Sequence, residues 1–385
     1  MTPFDLDVIL WPVLTIFIGT LAVSLKLTRS LALSVSAALI KAGIFAVYFG
    51  FLFNGTYTFF DDWSYLEGGR ELFLQGIGIT NLAENWEFAL MIGRGDHFVY
   101  YLYNTYAFRI FGEGYYAPVA LNISLTIFIA YFGTRLAIFE FSMNKNISRW
   151  FYLFLLLHPD ILAWSNIMNG KDILVLLLHV IALLSISLYW RGQHYKAIIL
   201  ALPVVLTLLF LRFYVPIIFI VSLILSILLS KRRARFGYVI FLTGFTALLI
   251  SWIGESGFQY VLGSMQENLV NPVYGFIRAL LTPIPFNTVD NYAFLDFPAL
   301  FHWMVIPFTP FGLLYIWRIK TNFGRFFIVY FCVFVGLYAI YGELQGPRHR
   351  VQLDYAWAVL QYIGIMAAFG LMRLKNVTSR AMVSI

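Results

Sequence analysis

The sequence predicts an all-α polytopic membrane protein, and three observations carry that prediction. Of its 385 residues, 61% are hydrophobic and only 12% are charged, with a mean hydropathy of +0.80; soluble domains run at roughly 45–50% apolar and about 25% charged. The apolar residues come in continuous, helix-length runs such as 198–230, unlike the short alternating segments of an outer-membrane barrel. Basic residues gather at alternate ends of these runs, and acidic residues avoid those same ends. At about 20 residues per crossing of a hydrocarbon core roughly 30 Å thick, residues 1–385 make a single transmembrane domain with no room for a large soluble one.

In chain order, spans are expected near 8–25, 42–60, 117–139, 150–168, 172–190, 197–212, 214–230, 236–254, 300–317, 326–342 and 356–372. The first follows Asp5 and Asp7 and not a basic segment, so it reads as a retained span, not a cleaved signal peptide. The second is placed at 42–60 in preference to 31–53 to keep Lys41 out of mid-bilayer, where a charge costs at least about 2.5–3.5 kcal/mol. Residues 197–230 divide at Arg212, just before Val215-Pro216, because one long helix would separate Arg191 and Lys196 from the Lys231-Arg232-Arg233-Ala234-Arg235 cluster by a membrane.

With that cluster in the cytoplasm, these eleven spans put the N-terminus outside and the C-terminus inside. Of the 19 acidic residues, all but Glu140 then lie outside or at outer helix ends. The net charge of +7 is thereby a topological signal, not a footprint for nucleic acid. The single cysteine, Cys332, lies within an apolar run and excludes an intramolecular disulfide. Chemistry outside the membrane is left to two long external loops, 61–116 and 255–299.

The first of these loops opens on Asp61 and Asp62, adjacent carboxylates at the end of an apolar run. Partial desolvation there makes a carboxylate a usable base, although Asp62 is equally a good cap for a helix running toward Leu74. Farther on, Asp96 and His97 are candidates for binding an acceptor or a divalent cation, Mg²⁺ or Mn²⁺. A third cluster runs from His158-Pro159-Asp160 to Lys171-Asp172. Lys171 and Asp172 either pair with each other or serve a site, and His158 is expected to satisfy a backbone group. Arg212, Arg348, His349 and Arg350 are cations on a face where orientation does not need them. Guanidinium forks match phosphate oxygens, so a lipid-linked phosphate is one expected partner; the others are Glu343, Asp354 and ordinary headgroups of the membrane lipid.

The order of these pieces resembles the C-type glycosyltransferase superfamily, polytopic enzymes that use polyprenyl-phosphate-linked sugars. The matching residues are Phe60-Asp61-Asp62-Trp63-Ser64-Tyr65, Gly95-Asp96-His97 through Phe111-Gly112-Glu113, His158-Pro159 through Lys171-Asp172, and Arg348-His349-Arg350. The chain differs from the family in an extra span before the acidic pair and in the absence of an evident soluble C-terminal domain. The resemblance implies an inverting transfer on the extracytoplasmic side, with an aspartate of the first loop, Asp61 or Asp62, as base. It also implies that Arg212, Arg348 or Arg350 holds the carrier phosphate.

The function expected is transfer of a sugar from a polyprenyl-phosphate-linked donor to a glycan, lipid or protein acceptor hydroxyl, with Lys171 joining the arginines on the phosphate. The expected setting is a bacterial inner (plasma) membrane, with no nucleic acid and no nucleotide-sugar loop involved. Two rivals are a polysaccharide polymerase or ligase using undecaprenyl-pyrophosphate glycans and a transporter or lipid flippase. The last would place its ionisable groups at depth on broken helices.

Overall fold

The computed structural model describes residues 2–93, 97–229 and 268–372. Among them the chain is an all-α membrane protein. There is no strand, only an isolated bridge between Leu269 and Tyr341, and six helical segments are long and apolar enough to cross a bilayer. Those six are Leu6–Thr28, Leu31–Leu52, Tyr116–Phe141, Asp172–Trp190, Asp290–Ile319 and Asn322–Ile340.

Helix α1 (Leu6–Thr28) packs along α2 (Leu31–Val47), which continues as a π-helical turn through Leu52. The second span is therefore 31–52, not 42–60, and Lys41 lies inside it, fully buried. Its ammonium donates to the Thr126 hydroxyl. An interior hydrogen-bond partner removes the lipid-facing penalty on which the other placement rests.

The first loop folds into three helices, α3 (Phe60–Leu74), α4 (Trp86–Ile92) and α5 (Phe98–Phe111), with α3 packed on α5. Their backbones nearly touch. A Cβ on Gly69 would stand 2.4 Å from the Asn104 side chain and 3.1 Å from the Tyr101 carbonyl. The long helix α6 (Tyr116–Phe141) then returns through the core and contacts α1, α5 and the helices that follow.

The span expected at 150–168 is broken into α7 (Lys145–Leu156) and α8 (Pro159–Ile167). Proline fits the first turn of α8, where its missing N–H is not needed, but it cannot continue α7. The break leaves His158 at the junction. Helices α9 (Asp172–Trp190), α10 (His194–Leu209) and α11 (Tyr214–Leu228) follow, and Arg212 sits in the turn between α10 and α11. The expected division of 197–230 is thus present. The cluster 231–235 and the span expected at 236–254 lie outside the described residues, as does part of the second loop.

Beyond it come α12 (Pro272–Leu281), α13 (Asp296–Val305), α14 (Thr309–Ile319), α15 (Asn322–Ile340), the single turn α16 (Pro347–Arg350) and α17 (Asp354–Ala368). Helix α14 meets α17 where backbones are in contact: a Cβ on Gly312 would lie 2.1 Å from the Leu360 carbonyl oxygen, and one on Gly364 would lie 2.0 Å from that of Phe308. Small residues permit such approach, and in a membrane close packing is the main force joining helices. The second loop closes over the first through Tyr292 on Phe59 and Phe294 on Tyr57, with ring centroids 4.9 and 5.5 Å apart.

Candidate functional site

Four helix junctions meet at one end of the bundle, and each brings a charged side chain. The start of α3 supplies Asp61, the start of α9 supplies Asp172, the α10–α11 turn supplies Arg212, and the turn α16 supplies Arg348. Arg348 joins two of the others. Its Nη1 donates to Asp61 Oδ2 at 2.7 Å and its Nε to Asp172 Oδ2 at 2.8 Å. The second Asp172 oxygen accepts from Arg212 Nη2 at 3.1 Å and from Gln352 Nε2 at 3.2 Å. Tyr214 completes this shell by donating to Gln352 Oε1.

Exposure divides the pair of acids that Arg348 joins. The Asp172 side chain is 2% exposed and that of Asp61 51%, with the guanidinium between them at 16%. Asp172 is therefore the buried anchor and Asp61 the accessible end. Two guanidinium nitrogens of this cluster, Arg348 Nη2 and Arg212 Nε, are buried without a hydrogen-bond partner. Such N–H groups are acceptor-seeking.

His349 lies against Arg212, its Nε2 3.3 Å from Nη1. Burial, with Arg212 the next cause, lowers its pKa to about 3, so the ring is neutral and Nε2 accepts. Lys171 does not pair with Asp172. Its ammonium is 3.1 Å from the His97 ring nitrogens and stands over the Tyr65 ring. Adjacent residues of a helix start point in different directions, so Asp172 turns to the arginines while Lys171 turns to the first loop. Asp96, the other half of the expected acceptor or cation pair, lies outside the described residues.

Asp61 and Asp62 part company. Asp62 is fully buried, accepts from the Phe59 backbone N–H at 2.9 Å and from the Tyr115 hydroxyl at 2.8 Å, and so caps α3 from its third position. Burial pushes its pKa up to about 6 against those two donors. Asn169 ties the same region together through the Asp62 carbonyl, Asn104 and Tyr100. Asn169, Tyr115 and Gln352 carried no sequence signal, being common polar residues in aromatic or apolar surroundings.

Arg350 belongs elsewhere. Its Nη2 bridges both oxygens of Asp160 at 3.1–3.2 Å, Nη1 donates to the Thr282 carbonyl, and the residue is 5% exposed. It sits with His158 and Asp354 in a second, fully buried cluster. The expectation that His158 satisfies a backbone group is not met, since neither ring nitrogen makes a hydrogen bond to the main chain. Among the described side chains Asp160, Asp61 and Asp172 are the ion-pair partners of the three arginines, and the expected Asp354 is not one of them; the Glu343 side chain lies outside what is described. Comparison with protein-family models, with curated proteins and with solved structures gives no match to this chain.

Proposed function

We propose that the protein transfers a sugar from a polyprenyl-phosphate-linked donor to an acceptor hydroxyl, with Asp61 as general base. The observation that carries this reading is the graded chain Asp61–Arg348–Asp172–Arg212, an accessible carboxylate tied by one guanidinium to a buried, arginine-held anchor. The reading takes the eleven-span, C-type glycosyltransferase-like arrangement with the N-terminus outside. It places the site on the extracytoplasmic face of a bacterial inner membrane.

In this mechanism the carrier phosphate binds Arg348 and Arg212, whose unpartnered N–H groups donate to its oxygens. Lys171 adds a further cation from the same junction as Asp172. Phosphate on Arg348 competes with Asp61 for that guanidinium and releases the carboxylate. Asp61 then takes the acceptor's hydroxyl proton as the oxygen attacks the anomeric carbon. The bond from that carbon to the phosphate oxygen breaks, and the arginines stabilise the charge that grows on the departing phosphate. Asp62 is excluded from this step by its burial and by its two donors; it shapes the start of α3. Arg350 is assigned no part in phosphate binding.

The test is transfer in proteoliposomes supplied with radiolabelled polyprenyl-phosphate sugars and total membrane acceptors. Asp61→Asn should lower product formation by at least about 10², the lower range for loss of a general base, while Arg348→Lys weakens donor binding. Full transfer by Asp61→Asn would refute the base assignment.

One observation favours a second reading, a transporter or flippase: Lys41, Asp160, Arg350 and Asp354 are ionisable groups inside the bundle, beside a broken span. Substrate movement across sealed vesicles without any covalent product would select it.

A further inference from the structure

The second cluster lies apart from the chain that ends on Asp61, and what it holds can be worked out from its hydrogen bonds. His302 Nε2 is 2.9 Å from the Leu280 carbonyl oxygen, which can only accept, so that nitrogen carries the proton. Nδ1 of the neutral ring is then an acceptor. It lies 3.2 Å from Gln361 Nε2, which donates to it. That fixes the Gln361 amide and leaves its Oε1, buried and without a hydrogen-bond partner, as an acceptor. Gln361 stands beside His158, whose two ring nitrogens also lack partners. The neutral His158 ring can turn its N–H toward Gln361, which leaves the other nitrogen with a bare lone pair.

Around that lone pair the structure gathers acceptors. One donor atom each from His158, Asp160 and Asp354 lies within 4.8 Å of the others. All three residues are at most 2% exposed, and Asp354 Oδ2 has no partner. Arg350 is the cation of this group, and it is spent on Asp160 and the Thr282 carbonyl. Two carboxyl groups thus share one guanidinium in a water-excluded site, with a ring nitrogen and a carboxyl oxygen that have no partner lying close together. Buried polar atoms left without partners call for an occupant.

We infer that His158, Asp160 and Asp354 form a binding site for a divalent cation of the Mn²⁺ or Zn²⁺ kind. Imidazole beside carboxylates suits these ions better than Mg²⁺ or Ca²⁺, which prefer oxygen alone. Gln361 is the outer group that orients the imidazole, and Arg350 orients Asp160, the usual support for metal ligands. The three ligands come from the α7–α8 break, the first turn of α8 and the start of α17. The ion thus ties the broken span to α17. This site does not depend on the transferase reading.

The experiment uses the full chain in nanodiscs, stripped with a chelator, dialysed, and then titrated with MnCl₂ and ZnCl₂. Bound metal is counted by elemental analysis and Mn²⁺ is followed by electron paramagnetic resonance. One equivalent of either ion is expected to remain on the wild type and on Asp61→Asn, and to be lost in His158→Gln and in Asp354→Asn. Metal binding should also raise the unfolding temperature of the wild type but not of those two variants. If the wild type holds neither ion above background, or Asp354→Asn holds as much as the wild type, the inference is wrong. The wild-type count decides even if both variants misfold. A protonated-carboxyl infrared band that Asp354→Asn removes, in wild type free of metal and indifferent to added ion, likewise overturns it by showing a shared proton in the ion's place.

Discussion

Replacing Asp172 by asparagine tests whether the two arginines are held by charge. The carboxylate is 2% exposed, and three hydrogen bonds end on it, from Arg348, Arg212 and Gln352 at 2.8, 3.1 and 3.2 Å. Removing one partner of a buried ion pair costs about 3–5 kcal/mol, because the charge left behind has no compensation. Asparagine keeps one oxygen for Arg212 and Gln352 but sets an amide N–H toward Arg348 Nε. Arg348 in turn keeps Asp61. The lower end of that range, about 3 kcal/mol, is therefore expected. The assay is SDS-driven unfolding in mixed micelles followed by tryptophan fluorescence. A second variant, Asp172→Asn with Arg348→Gln, removes one charge of each sign and should recover about 1–2 kcal/mol, within the range for coupled neighbours. A loss below about 1 kcal/mol for the single variant, or no recovery in the double, would show that water and not Asp172 solvates these guanidiniums.

Three further outcomes are expected. Asp61→Asn should change stability by no more than about 1 kcal/mol in the same assay, since its side chain is half exposed; a loss as large as that of Asp172→Asn would make Asp61 structural. Asp62 has its carboxyl raised from 3.8 to about 6, so the folded state binds the proton more tightly than the unfolded chain. Its unfavourable contribution is complete above pH 6 and is relieved as the pH falls toward 4, and Asp62→Asn should flatten the stability profile over that window. Gly312→Ala and Gly364→Ala should each destabilise by about 1–3 kcal/mol through forced separation of α14 and α17, whereas Gly336→Ala, with open space at its Cβ, should be near neutral; equal effects at the three positions would contradict the close crossing.

The apolar runs told most of the helices, because burial in lipid demands continuous hydrophobicity that neighbours in sequence must share. Where an interior partner intervened, local reading failed. Lys41 displaced the second span because Thr126, 85 residues away, supplies its hydrogen bond. The break at His158 shows in the sequence only as a proline inside a continuous apolar run, which by itself predicts one span. Candidate residues were readable as charges out of place on their face of the membrane. Their pairing was not, since Arg348 finds Asp61 across 287 positions and Arg350 finds Asp160 across 190. Alternate residues of one short turn, Arg348 and Arg350, serve different clusters. No linear pattern distinguishes them. Likewise Asp61 and Asp62 look equivalent as a pair, and only helix phase sends one to Arg348 and the other to Tyr115.

A density map of the protein in nanodiscs with added polyprenyl phosphate would show whether, as proposed, a lipid-carried phosphate meets Asp61 at the Arg348–Arg212 anchor. Headgroup density bonded to Arg348 and Arg212 is expected, with the Asp61 carboxylate released from Arg348 and Arg350 still on Asp160. Intact Asp61–Arg348 and Asp172–Arg212 pairs at saturating lipid, with the headgroup elsewhere or absent, would contradict it.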